Sequence, residues 1–328
     1  MLSRVADCVY WMSRYIERAE DVARLIDVNL LLTLDLPRGG ATQWKALVSA
    51  TGDTEQFAES YGAPTPDNVI QFLVFDYENP NSVYSCLRSA RENARAARET
   101  ISTEAWNQIN GFYLEINDAA QHQGRLNHPS EFFHRIRLNG QTVTGVIDAT
   151  MSHDEPWHFC RLGRLLERGE QTARLLDAKY FLLLPSSEYV GSTLDDIQWS
   201  AVLRSASGFE MYRKRYGRID PVRIIGFLLL NRTFPRATYS CVVEADDSLH
   251  AICGTQVGEF STRAERELGR LRWEFAFSEA GDIIAAGMHE YLDALQTKFN
   301  QVGEGIRDSF FSVAATDGQS QQTSGAAE

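Results

Sequence analysis

The feature that most constrains this chain is an internal repeat. Residues 14–27 read RYIERAEDVARLID and residues 164–177 read RLLERGEQTARLLD, identical at eight of fourteen positions at an offset of 150. The correspondence resumes at an offset of 155: Trp44 with Trp199, Tyr61-Gly62 with Tyr216-Gly217, Pro66 with Pro221, Phe72-Leu73 with Phe227-Leu228, Pro80 with Pro235, and Tyr84-Ser85-Cys86 with Tyr239-Ser240-Cys241. Extra residues around Leu183–Gly191 account for the five-residue change, and beyond Cys86 the halves diverge. Matches of Trp, Cys, Pro and Gly in the same order over such a span identify a tandem duplication. The expected organisation is therefore a first repeat over 1–150, a second over 151–315 and a disordered tail over 316–328, with the repeats joined in one body.

Apolar residues recur at helical spacing along nearly the whole chain. Val9, Met12, Ile16, Ala19, Ala23, Ile26 and Leu30 form one stripe of a first helix. Thr65-Pro66 reads as a helix entry with Thr as cap. Further helical patterns cover about 81–102, 104–121, 129–150, 154–184, 195–214, 220–230, 236–254, 258–279 and 281–313, and no sustained two-residue alternation suggests strands. The expectation is an all-α protein: an antiparallel helical bundle with pseudo-two-fold symmetry about an axis near the repeated helices.

The 328 residues carry a formal net charge of −12, which argues against binding to nucleic acid or anionic membrane. No run of 18 uncharged apolar residues is present, and the first residues lack the pattern of a secretory leader. With five scattered cysteines and no CxxC pair, the expected setting is cytoplasmic.

Within the repeat, Arg14, Glu17, Glu20, Arg24 and Asp27 fall on one helical stripe, and both copies keep Glu-Arg while their neighbours change. Either these charges pair between the duplicated helices and fix register, or they line a cleft in which arginine forks bind a carboxylate or phosphate. Arg88–Arg98 is a second basic segment, matched by an acidic stretch in the other half. The candidate binding residues are Arg14, Arg18, Glu20, Arg24, Arg91, Glu92, Asn93, Arg95, Arg168 and Glu170. If the protein is an enzyme, Glu17 and Glu167 are the candidate acid/base groups, with a carboxyl pKa raised by burial. His153 and Glu155 are further candidates, although their place beside Pro156 equally suits a capping loop. Glu131-x-x-His134 has the spacing of a di-metal carboxylate motif but lacks a matching second motif, so no metal is expected. No phosphate-binding Gly-rich loop is present. Cys86 and Cys241 read as small core residues.

The segments M-L-S-R-V-A-D-x-x-Y-W-M-S-R-Y-x-E-R-A-E at the start, N-P-N-S-V-x-S-C-L-R-x-A-R-E-N-A-R-A-x-R-E over 79–99 and M-S-H-D-E-x-W-x-F-x-R-L-G-R-x-L-E-R-x-E-x-T-A-R-L-L-D over 151–177 resemble the alpha-E family of predicted all-helical bacterial proteins. The likeness runs on through 227–236, with Pro156 where Gly is common and Ala237 where Ser is usual. The resemblance implies a neighbour or fusion partner among circularly permuted ATP-grasp proteins, and a transglutaminase-like protein in the same system. It therefore implies ATP-dependent amide-bond chemistry on a peptide or amino-acid substrate. The chain would be a helical partner or substrate-holding subunit of the ligase, without a cofactor of its own. The alternatives are an enzyme using the motif glutamates, and a pure scaffold. The family motif positions fall on Glu17, Arg18, Glu20, Arg24, Arg91, Glu92, Asn93, Arg95, His153, Asp154, Glu155, Glu167, Arg168 and Glu170.

Overall fold

The computed structural model describes residues 1–35, 40–121, 126–182 and 192–312. The loop expected at Pro37–Gly40 lies largely outside them, as do the extra residues near Leu183–Gly191 and the tail. Among the described residues every regular element is helical. The first group is α1 (Ser3–Asp35), α2 (Gly40–Thr51), α3 (Thr54–Tyr61), α4 (Pro66–Ile70), a π-turn at Gln71–Phe75, α5 (Val83–Ala96), α6 (Thr103–Gln121) and α7 (Pro129–Thr150). The second is α8 (Glu155–Leu182), α9 (Thr193–Ser205), α10 (Phe209–Tyr216), α11 (Pro221–Ile225), a π-turn at Gly226–Leu230, α12 (Thr238–Cys253), α13 (Arg263–Ala276), α14 (Ala280–Ala286) and α15 (Met288–Ile306). A third π-turn, Arg307–Phe311, follows α15.

The first helix buries the stripe its sequence announces: Val9, Met12, Ile16, Ala19, Ala23 and Ile26 are inaccessible to solvent or nearly so. Thr65 caps α4 by accepting from the Asn68 amide, with Pro66 in the first turn. Two expected helices are broken. The 195–214 pattern divides at Ser207, which sits at φ +51°, and the 281–313 pattern divides at Gly287, at φ +104°. Periodicity runs through both breaks because a single left-handed residue removes no apolar position from the face.

α1 and α8 form the centre, and they run parallel. Tyr10 lies against Gly163, Arg14 and Arg18 bond Glu167, Arg168 bonds Glu17, and Leu25 lines the same hollow as Leu175. The expected antiparallel arrangement therefore fails for this pair. Two flanking pairs, α1 with α7 and α8 with α12, do run antiparallel. Asp27 and Glu20 of α1 meet Arg137 and Gln141 of α7 in opposite order, and Arg161 and Thr172 of α8 meet Glu244 and Arg236 around α12. Parallel helix dipoles repel weakly, and the reciprocal ion pairs of the seam offset this. Close approach depends on Gly163, where a Cβ would stand 2.3 Å from the Tyr10 carbonyl oxygen.

Candidate functional site

Each of the first two π-turns delivers the chain into a proline loop whose last residues face the α1–α8 seam. In the first, buried Asn79 donates to the Phe72 carbonyl at 3.1 Å and accepts from the Asn81 amide at 2.8 Å, which sets the Asn81 side chain against α1. In the second, Asn231 accepts from the Thr233 and Phe234 amides, Phe234 stacks on Phe227, and Arg236 follows.

Along the seam the Glu-Arg motifs of α1 and α8 engage reciprocally. Glu167 takes a two-point contact from Arg18, Nε at 2.6 Å and Nη2 at 3.0 Å, and a further bond from Arg14 Nε at 2.7 Å. Glu17 takes the mirrored contact from Arg168, Nε at 2.7 Å and Nη2 at 2.8 Å. Both glutamates are fully buried. Burial by itself would raise the Glu17 carboxyl, but Arg168 and Arg236 override it and hold it at about 2. Glu167 is likewise pulled well below the usual carboxylate range, against its burial, by Arg18 and Arg14. An acid/base role for Glu17 or Glu167 needs the opposite shift, so the expected raised carboxyl is corrected: both are committed anions in arginine forks.

Around this shared seam the two sides differ. On the α12 side, Arg236 donates to Asp21 at 2.6 Å and Glu20 at 2.7 Å and lies 3.1 Å from Glu17. Arg24, 1% exposed, bonds both Glu20 and the Ser207 hydroxyl. Three carboxylates and three arginines, counting Arg168, fill this side. Burial and the neighbouring glutamates push Asp21 upward despite Arg236, and Asp21 Oδ2 has no hydrogen-bond partner.

On the α5 side the same place is open. A cavity of about 200 Å³ is lined by Arg18, Val22, Thr51, Asn81, Glu170, Gln171 and Arg174. Arg18 Nη1 donates to Asn81 Oδ1 at 2.6 Å, and Asn81 Nδ2 donates to Asp53 at 2.8 Å. Arg174 holds Glu170 through Nε and Nη2 at 3.1 and 2.9 Å, while Arg14 Nη2 reaches the other Glu170 oxygen at 2.9 Å.

Of the binding candidates, Arg14, Arg18, Arg168 and Glu170 meet in this lattice, and Glu20 and Arg24 belong to its filled side. Arg91, Glu92, Asn93 and Arg95 do not join it. Arg91 turns to α6, donating to Asn110 at 2.7 Å and packing 5.0 Å from the Tyr113 ring centroid, while exposed Arg95 pairs with Glu92. They share α5 with the Tyr-Ser-Cys segment near Arg18 but lie more than a turn further along it. His153 and Glu155 are also remote, some 18 Å along α8 from Glu167 at 1.5 Å per residue. His153 stacks on Trp157 at 4.0 Å and bonds the Asp148 carbonyl, and Glu155 accepts from the Met1 amine. Cys86 and Cys241 are buried, and burial pushes each thiol up to about 12. Glu131 and His134 bond Arg135 and Arg137, and among the described residues no group of three His, Cys, Asp or Glu side chains is placed to hold a metal.

Sequence reasoning missed Arg236, Asp21, Asn81, Gln171, Arg174 and Ser207 as site residues. The signal was present in the offsets: Asn81 aligns with Arg236, Asp21 with Gln171, and Gly52 with Ser207.

The fold and seam define a class: an all-helical protein organised on a Glu-Arg motif presented twice. The chain belongs to the Alpha-E family, described as a predicted alpha-helical domain with a conserved ER motif, whose profile matches residues 1–311. It is also similar to uncharacterized proteins of Mycobacterium bovis and Mycobacterium tuberculosis, 22% identical over 329 aligned positions, 88% of this chain and 35% of each relative. The chain thus spans about a third of the length of the curated relatives it matches. No solved structure matches it.

Proposed function

We propose that this chain is the ligand-holding helical component of an ATP-dependent amide-ligation system, working with a circularly permuted ATP-grasp protein. A transglutaminase-like protein would act in the same system. The observation that carries a binding rather than a proton-transferring role is the state of the motif glutamates. Glu17 and Glu167 are buried, ionised and each held by a two-point arginine contact, whereas an open polar cavity lies beside Arg18. Membership of the Alpha-E family supports the ATP-grasp setting through the resemblance set out above, and the greater length of the mycobacterial relatives fits a unit that works within larger assemblies.

Two further readings accompany this one. The halves 1–150 and 151–315 form one pseudo-symmetric body with a two-fold axis along the α1–α8 seam. In its support, α3 and α10 are both eight residues, both proline-started α4 and α11 are five, and π-turns follow each at an offset of 155. A reducing cytoplasmic setting is supported by free thiols at Cys8, Cys86, Cys160, Cys241 and Cys253, and no helix of the described residues is long and apolar enough to cross a membrane.

Co-purification with a circularly permuted ATP-grasp protein of the same organism tests the role. The expected result is a complex, and ligase turnover that depends on this chain. No association together with unchanged turnover would overturn it.

A further inference from the structure

The two sides of the seam are built on corresponding residues, and three exchanges decide which is open. Where the filled side has Arg236, Asp21 and Ser207, the open side has Asn81, Gln171 and Gly52. Gly52 and Ser207 share a left-handed backbone, φ +85° and +51°. The Ser207 hydroxyl accepts from Arg24, whereas Gly52 offers no hydroxyl to the corresponding Arg174, whose Nη1 lies 3.2 Å from the place a Gly52 Cβ would take. Removing Arg236's counterpart leaves the cavity. Removing Asp21's counterpart takes a negative charge from its wall.

Arg14, Arg18 and Arg174 face Glu167 and Glu170, and the next acid, Asp53, lies behind Asn81 and accepts from its amide. Burial raises the Asp53 carboxyl, while its hydrogen bond from Asn81 and the charges of Arg18 and Arg174 act against that shift. Arg174 commits Nε and Nη2 to Glu170, and its Nη1 has no acceptor among the described residues. A cationic guanidinium nitrogen with donors to spare on a polar hollow, with amide side chains on its wall, suits an oxyanion.

We propose that the cavity between Arg18 and Arg174 binds a small oxyanion, a carboxylate or a phosphate, and that the corresponding place across the seam is kept closed by the protein's own Arg236. A cavity of about 150 Å³ admits benzene, so about 200 Å³ admits a ligand of roughly eight heavy atoms, the size of a small amino acid or inorganic phosphate. This names the ligand class for the ligand-holding role above and rests on that reading only for its biological setting.

The test is isothermal titration of the purified chain at low ionic strength with acetate and, separately, with inorganic phosphate. Saturable binding of at least one probe is expected, and which one binds distinguishes the carboxylate from the phosphate source. Arg174→Met is expected to weaken it at least about tenfold. The double variant N81R/Q171D transplants the filled side onto the open one and is expected to abolish binding. Neither probe binding up to about 10 mM overturns the proposal, as does unchanged binding in the Arg174→Met protein. Binding lost while the ATP-grasp complex persists removes the site alone. Binding kept while the complex fails removes the functional reading alone.

Discussion

At the scale of single residues, the seam is an exchange of charges that neither helix can complete alone. Glu17 is buried against Arg168 and Arg236, so removing one guanidinium leaves a carboxylate short of counter-charge in a place water does not reach. Arg168→Met is expected to cost about 3–5 kcal/mol in urea unfolding, with much of that recovered in the double variant E17M/R168M. Asp21 behaves oppositely. Burial, and crowding by Glu17 and Glu20, place its carboxyl at about 7 in the folded protein against about 4 in an unfolded chain. The folded state therefore holds the extra proton between those values, and stability declines as pH rises from about 4 to 7. Asp21→Asn is expected to flatten that decline in melts recorded across the interval. The Glu-Arg motif was legible in the sequence because it is repeated. Its partition into a filled and an open side showed only as exchanges between aligned positions, Asn81 for Arg236 and Gln171 for Asp21, whose meaning needs the structure because Arg236 reaches Asp21 across 215 positions.

At the scale of elements, the helices and their apolar faces were read well, since a 3.6-residue period survives any tertiary context. Direction was not legible. The connection between α1 and α8 is long enough to return the chain either way, and parallel packing is fixed by which residues meet: Gly163 on Tyr10, Arg18 on Glu167, Leu25 beside Leu175. One expectation at this scale follows from comparing α5 with α12. Ser82 caps α5 by accepting from the Ser85 amide, whereas Ala237 stands at the same extended backbone position before α12 and makes no side-chain cap. Ala237→Ser is expected to raise stability by about 1 kcal/mol, measured by chemical denaturation. The departure from the family pattern noted in the sequence is thus a missing cap.

For the whole molecule, a net charge of −12 is a poor guide to what it binds, because a cluster of arginines lies in the seam, paired with buried carboxylates away from solvent. The same concentration governs acid unfolding. Glu17 at about 2 and Glu167 lower still lie below the unfolded value of about 4.3, so their contribution is complete above that value and is lost as pH falls through the folded ones. Cooperative unfolding is expected between about pH 4 and 2, followed by circular dichroism, and Glu17→Gln is expected to shift its midpoint upward.

The parallel seam also orders events in time. Its paired residues are 149–156 positions apart, so each bond closes a very long loop, at a chain-entropy cost of about 4 kcal/mol before any seam contact is gained. Contacts between neighbouring helices within each half, such as Arg91 with Asn110 and Arg272 with Asp246, close far shorter loops and are expected to form first. The two Glu-Arg faces then stay hydrated until they meet, and their desolvation belongs to the last step of folding. In stopped-flow experiments Arg168→Met is expected to leave the refolding rate nearly unchanged and to speed unfolding, the mark of interactions made after the rate-limiting barrier.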